Sequence, residues 1–380
     1  MEKRRFAKGN FDVSLLGFGT MRLPHAQGKP AEILTKEATA MYDHAYESGV
    51  NYFDTAYMYH DNASESFTGK TLKRYPRDSF YLATKLPPWY IEKQSDLERI
   101  FDEQLRNCQV DYFDFYLLHC FTRTTFLTFE KYGAHEFLLE QKKKGKLRYY
   151  GFSIHDNVEL MEKVLNRWDF DFAQIQLNYL DWDVINSKGL YNSLEKRGIP
   201  AIIMEPVRGG TLAKLPEASA KVLTDFAPEK SIASWAMRYA ADLPGVLTVL
   251  SGMSNINQVK DNIATYNSFA PLSADERKTI DTAVEIYRKN STIPCTTCGY
   301  CMPCPVGVNI PESFGIYNIM KNGGDQVSFT NEYRNIGSGS RPDDCTNCRV
   351  CLSHCPQHIK IPEMLKEVAQ VYECMASSEG

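Results

Sequence analysis

Nine of the eleven cysteines lie after residue 294, and only Cys108 and Cys120 precede them. This distribution splits the chain into a long part that must build an ordinary apolar core and a short part organised by thiols. Eight of the nine fall in two runs, Cys295-x2-Cys298-x2-Cys301-x2-Cys304-Pro305 and Cys345-x2-Cys348-x2-Cys351-x3-Cys355-Pro356. The N-terminal sequence carries positive charge but no apolar run of signal-peptide length, so a reducing, cytoplasmic setting is expected. There, clustered cysteines mean metal more often than disulfide.

The second run matches the spacing of bacterial ferredoxins, and the first is one residue shorter before its last cysteine. Closely spaced thiolates wrap three corners of one cubane, and the proline-linked fourth reaches across to the other cluster. The runs therefore imply two [4Fe–4S] clusters, one on Cys295, Cys298, Cys301 and Cys355, the other on Cys345, Cys348, Cys351 and Cys304. A pair of four-cysteine zinc sites is the alternative. The third cysteine at two-residue spacing and the proline after the fourth favour iron and sulfide. The stretch between the runs has room for helices, which predicts a mostly helical ferredoxin-like module over 291–380. Cys374 is outside the pattern and reads as a free thiol.

Residues 1–290 read differently. Short β-branched and aromatic runs at 15–21, 51–55, 80–85, 113–119, 147–153, 172–178, 201–207 and 246–251 alternate with helical patterns at 35–48, 95–107, 129–144, 157–166 and 187–197. Eight such alternations predict parallel strands joined by right-handed crossovers and close most naturally into a (β/α)8 barrel. An open doubly wound sheet is the runner-up, weakened because no G-x-G-x-x-G follows the first strand. A helix capped by Ser273 and ending near Lys289 leads out of this part, and the boundary falls near residue 290. A net charge of -4 gives no basic field for nucleic acid, and no apolar stretch is long enough for a membrane span.

Four polar residues stand at or just after the ends of three consecutive expected strands, where barrel enzymes place their chemistry. They are Asp54 and Tyr59 in Asp54-Thr-Ala-Tyr-Met-Tyr59, Lys85 in Ala-Thr-Lys85, and His119 in Tyr-Leu-Leu-His119. Hydride addition to a carbonyl creates an alkoxide that needs a proton and nearby positive potential. A tyrosine beside an ammonium can supply the proton, a carboxylate can fix the ammonium, and an imidazole can orient the carbonyl. In these contexts residues 3–290 resemble the aldo/keto reductase family. The resemblance implies that Asp54, Tyr59, Lys85 and His119 form the catalytic tetrad, with Tyr59 as general acid.

The same resemblance implies an NAD(P)(H) site. Ser153 and His155 match positions that bind the nicotinamide carboxamide, with Gln176 the next strand-end partner in Gln176-Leu-Asn178. Met204 stands where the family usually stacks a tyrosine on the nicotinamide ring. Ser251, Gly252 and Ser254, followed by Gln258 and Asn262, resemble the phosphate and adenine loop. The loop positions Met253, Ser254 and Asn255 carry no base, which leaves NAD and NADP open. Trp89 and Phe121 read either as an aromatic substrate wall or as loop aromatics packed on the rim.

These readings predict an oxidoreductase that reduces a small aldehyde or ketone, or oxidises the alcohol. A cluster moves single electrons and a nicotinamide moves pairs, and a flavin is the usual converter. No flavin motif is present in the sequence. A ferredoxin or flavoprotein partner would complete such a chain. The competing reading is an iron–sulfur electron-transfer protein whose barrel serves as a docking scaffold or flavin site. A further reading makes the clusters structural or redox-sensing.

Overall fold

In the computed structural model, eight parallel strands close into a barrel: β1 (Leu16–Gly19), β2 (Tyr52–Asp54), β3 (Tyr81–Leu86), β4 (Phe113–Phe121), β5 (Leu147–Ile154), β6 (Phe172–Gln176), β7 (Ala201–Met204) and β8 (Val246–Gly252). Each pairs with its neighbour in chain order, and β8 returns to β1. The structure describes residues 1–289, 292–321 and 326–376, so the boundary expected near 290 lies outside the described residues. By packing, the chain forms two units, Met1–Pro206 with Ala236–Leu272, and Val207–Trp235 with Ser273–Gly380.

Barrel strands are covered on both faces, which is why β4 is buried along its whole length. Side chains alternate between the helix-facing side and the interior. The interior is filled by Tyr52, Ala83, Phe115, Leu117, Phe172, Ile202 and Leu250. Two residues further along their strands, the same inward rows of β2, β3 and β4 end in Asp54, Lys85 and His119. Thus the inward rows of these three strands turn from apolar to polar at the C-terminal mouth.

The opposite mouth is closed by a hairpin of Lys3–Phe6 and Phe11–Ser14. Phe6 packs 5.4 Å from Phe115 and edge-on to Tyr149, and Phe11 stacks on Tyr81 at 4.2 Å. The sequence pattern did not reveal this plug, nor the second hairpin (His25–Ala26 with Lys29–Ile33), nor the helix Ser64–Leu72. The helix expected over 129–144 is instead two helices, Arg123–Tyr132 and Ala134–Lys143, because Gly133 adopts a left-handed φ of 69° between them. The strand expected over 201–207 stops at Met204, where Glu205 turns to φ 56° and Pro206 follows. Ser273 does cap Ala274–Lys289: its Oγ accepts from the Glu276 N–H at 3.1 Å, and Glu276 Oε2 accepts from the Ser273 N–H.

The second unit contains the cysteine-rich region, which is mostly helical, with helices Ile310–Lys321, Gln326–Asn335 and Ile361–Ala376. Its core joins Val308, Ile310, Phe314, Tyr317, Phe329 and Tyr333 to Ile359, Ile361, Leu365 and Val368. The doubling of the cysteine runs extends well past the cysteines. Thr297 and Asn347, Gly299 and Arg349, and Gly307 and His358 are equivalent pairs, and all six have φ between 51° and 87°. Each half then enters a helix through an Ile-Pro-Glu sequence, at Ile310 and at Ile361. Among the described residues no helix is long and apolar enough to cross a membrane.

Candidate active site and metal centre

Asp54, Tyr59, Lys85 and His119 come together at the C-terminal mouth of the barrel, and all four are buried. Lys85 Nζ donates to Asp54 Oδ1 at 2.7 Å and to the Thr55 carbonyl at 2.7 Å. It also lies 4.9 Å from the centre of the Tyr59 ring. The Tyr59 ring meets His119 edge-on at 6.1 Å, and Trp89 meets His119 edge-on at 5.5 Å.

Tyr59 reaches this place because the chain after β2 is tied down. Thr20 and Thr55 hydroxyls both bond the Ser64 hydroxyl, at 2.8 and 2.9 Å, and the Ser64 N–H donates to the Tyr59 carbonyl. His60, Asp61 and Asn62 then turn through three consecutive left-handed residues. His60 is buried, with its ring against the Pro30 and Thr20 carbonyls.

Removal from water pushes the Asp54 carboxyl up and the Lys85 ammonium down, and each shift is opposed by the partner's charge. The 2.7 Å contact is what opposes both shifts. Burial, reinforced by Lys85 and His155, holds His119 well below the ordinary histidine range. His119 is therefore a neutral imidazole near neutrality, suited to hydrogen bonding rather than to acid catalysis.

The expected cofactor residues occupy or follow the ends of the remaining strands, with Gln258 and Asn262 on the helix Ile256–Asn267 after β8. The Ser153 hydroxyl accepts from the Cys120 N–H at 2.8 Å, and the His155 N–H donates to the Phe121 carbonyl. Met204 Sδ accepts from the Gln174 amide at 3.4 Å. Ser251 Oγ accepts from the Asn262 amide at 2.9 Å. The Gln258 side chain accepts from the Ser254 N–H, and Asn255 caps the helix Ile256–Asn267. Gly252 closes β8 beside Gly19.

One residue here was not foreseen. Asp181, fully buried, accepts from both the Gln176 and the Asn178 amides at 2.7 Å. A carboxylate accepts but does not donate, so it turns the Gln176 amide nitrogen away and fixes that side chain's orientation. Its only sequence signal was an acidic residue five positions after a strand end.

Phe121 does not line a substrate wall. By alternation it should face inward like His119, but Cys120 adopts φ 59° and the strand pairing slips there. Phe121 therefore turns outward among Phe126, Phe129, Phe152 and Trp168. Trp89 alone of the two faces His119.

In the second unit, Cys295, Cys298, Cys301 and Cys355 line one cleft together with Thr296, Phe314 and Ile361. Burial, followed by Cys298, Cys295 and Cys355, pushes the Cys301 thiol up to about 12. Burial, followed by Cys345 and then Cys348 and Cys304, raises Cys351 to about 11. Four soft sulfurs that oppose one another's ionisation are a donor set suited to an iron–sulfur cluster, whose iron atoms neutralise them.

The segment Arg208–Ala213 packs against this cleft. Gly209 has φ 64°, and a Cβ there would stand 2.3 Å from the Thr296 carbonyl oxygen. Gly210, with φ 97°, has nothing within 4 Å of the same atom. Gly209→Ala is therefore expected to displace the Cys295–Cys298 loop and reduce iron retained after anaerobic purification. Gly210→Ala, which carries only the left-handed strain of roughly 1–2 kcal/mol, should retain it. Equal iron contents would reject this coupling.

Residues 15–285 match the model of the aldo/keto reductase family, and residues 294–359 match that of a 4Fe-4S dicluster domain. Over 300 residues the chain is 29% identical to L-galactose dehydrogenase of Arabidopsis thaliana, covering 73% of this chain and 91% of that protein. An aldo-keto reductase from Bacillus halodurans in its holo form superposes with a TM-score of 0.61 at 29% identity, over 74% of this chain and 96% of the other. One from Klebsiella pneumoniae, in complex with NADPH, gives 0.60 at 22% identity, over 76% and 96%.

Proposed function

Because the chain belongs to the aldo/keto reductase family, we propose that it is a cytoplasmic NAD(P)H-dependent reductase of a small aldehyde or ketone, or the dehydrogenase of the corresponding alcohol. Residues 1–290 carry the hydride chemistry and residues 291–380 hold two clusters. The observation that carries this reading is the buried Asp54–Lys85 ion pair with the Tyr59 ring above its ammonium and His119 alongside.

Nicotinamide, when bound, supplies or accepts the hydride. Ser153 and Gln176 hold its carboxamide, with Asp181 fixing the Gln176 amide, while the Ser251–Asn262 pair and the loop at Gly252 and Ser254 receive the phosphates. Tyr59 donates its phenolic proton to the carbonyl oxygen as that oxygen gains charge. Lys85 stabilises the phenolate that remains, and Asp54 keeps Lys85 charged and in place. Neutral His119 donates a hydrogen bond that aims the carbonyl oxygen at Tyr59, and Trp89 bounds the substrate side.

Asp181→Leu keeps the branched outline of the side chain but removes the acceptor. It is expected to raise the KM for the nicotinamide about tenfold, the value of one charge-assisted hydrogen bond, with kcat changed much less. An unchanged KM would detach Asp181 from the cofactor.

The holoprotein tests the proposal directly. Under anaerobic conditions it is given NADH or NADPH deuterated at the transferable position, with a panel of small aldehydes. Deuterium at the carbinol carbon of the product is expected. No isotope in any product from either nucleotide, with the clusters reducible by a low-potential ferredoxin or flavoprotein, favours the electron-transfer reading. That reading draws support from the dicluster domain and from Met204, which stands where a stacking tyrosine is usual.

A further inference from the structure

Behind the site, on the helix-facing side of the barrel wall, lies a second buried carboxyl that the proposed chemistry does not use. Glu65, on the helix Ser64–Leu72, is fully buried. Its Oε1 accepts from Thr84 Oγ1 at 2.6 Å and from Gln104 Nε2 at 2.6 Å. The same Gln104 nitrogen donates to the Lys85 carbonyl at 3.0 Å, and Tyr116 donates to Gln104 Oε1 at 2.5 Å. Glu65, Thr84, Lys85, Gln104 and Tyr116 are all shut off from solvent. Glu65 therefore grips the strand that carries Lys85 from behind, while Asp54 holds its ammonium from the front.

The charges do not balance within this group. Asp54 and Glu65 are two buried acids, and the Lys85 ammonium feels the charge of both. The other groups facing Glu65 supply no positive charge. Glu103, Gln104, Asn107 and Cys108 face it from the helix Ser95–Cys108, and Tyr116 from β4.

We infer that Glu65 is a positioning residue for the reaction: its negative charge, acting through the β3 wall, helps keep Lys85 an ammonium and so extends catalysis to higher pH. This rests on the reading of Tyr59 and Lys85 given above. Burial, only partly offset by the Thr84 and Gln104 hydrogen bonds, pushes the Glu65 carboxyl up to about 7. It is thus an acid near neutrality that becomes a carboxylate over the range in which Lys85 must be held protonated. An acid with a raised pKa in the fold stabilises most below its unfolded value, and that stability is lost as pH rises through about 7.

Glu65→Gln keeps an acceptor oxygen for Thr84 and Gln104 but can never ionise. Its kcat/KM profile for carbonyl reduction is expected to lose its alkaline limb about one pH unit earlier than wild type, with little change on the plateau. The margin by which its melting temperature exceeds wild type should open as pH rises from about 4.5 to about 7 and stay constant above that. An alkaline limb in the same place would reduce Glu65 to a structural residue and overturn the inference. Should the variant fail to fold, infrared titration of the wild-type holoprotein reads the same group. A buried carboxylic acid must vanish on raising pH through neutrality, and its absence is equally fatal. Failure of wild type to reduce any carbonyl, with the infrared signal present, would instead locate the error in the proposed function.

Discussion

Tyr59→Phe is expected to lower kcat for carbonyl reduction on the order of 10²–10⁴-fold, the contribution of a positioned proton donor. The nicotinamide KM and the iron content should stay unchanged. The substitution deletes only the hydroxyl. The ring remains over Lys85 Nζ at 4.9 Å and edge-on to His119, so packing and the ion pair survive. That makes it a cleaner probe than removing Lys85. Lys85→Met would strand Asp54 in a dry barrel, and breaking a buried pair typically costs about 3–5 kcal/mol, so lost activity could not be told from lost fold. Steady-state kinetics at several pH values, with circular dichroism as a check on folding, decide the matter. A variant retaining more than about a tenth of wild-type kcat would remove Tyr59 from the chemistry, since general acid catalysis contributes more than that.

The barrel and the polar strand ends of the candidate site were legible because both are written in local pattern. Strands buried on both faces read as apolar runs, and a charged or polar residue ending such a run is conspicuous, as at Asp54, Lys85 and His119. The cysteine runs were legible because metal ligation fixes spacing. The features that escaped depend on tertiary context. The hairpin strand Lys3–Phe6 is short and basic, and only its place beneath the barrel makes it a plug. Glu65 and Asp181 stand at the starts of two helices that the sequence pattern did not reveal, and nothing local says that both are buried. The choice left open for Phe121 could not be made from sequence, because it turns on the left-handed φ of Cys120, which no local pattern announces. Gly133 was missed as a break because a glycine within an amphipathic pattern is tolerated as often as it terminates. Cysteine spacing also hid the longer repeat, whose Ile-Pro-Glu halves become equivalent only once the left-handed residues of each loop are matched.

The largest structural effect is expected from Cys355→Ala, because this cysteine belongs to the second run yet lines the cleft of the first. The reciprocal relation holds at the other site, where Cys304, from the first run, opposes the ionisation of Cys351 alongside Cys345 and Cys348. Iron in anaerobically purified Cys355→Ala should fall from about eight atoms per chain to about four, one cubane lost and one kept. The surviving electron paramagnetic resonance signal identifies which. It should match that of Cys298→Ala, whose missing ligand belongs to the same cleft, and differ from that of Cys348→Ala. A match to Cys348→Ala would mean that each run closes on its own cluster. Stability should fall along with the metal. Cys295, Cys301, Cys304, Cys345 and Cys355 pack against the core formed by Val308, Ile310, Ile359 and Ile361, so the thiols are part of that core and ligation contributes folding energy to it. Without a cubane to neutralise them, three remaining thiols would face one another in a cleft that disfavours their ionisation, and both helices that begin at Ile-Pro-Glu would lose the wall they start from. Limited proteolysis should therefore open Cys355→Ala after residue 294 well before it cuts the barrel strands, whereas Cys374→Ala, outside both runs, should behave as wild type.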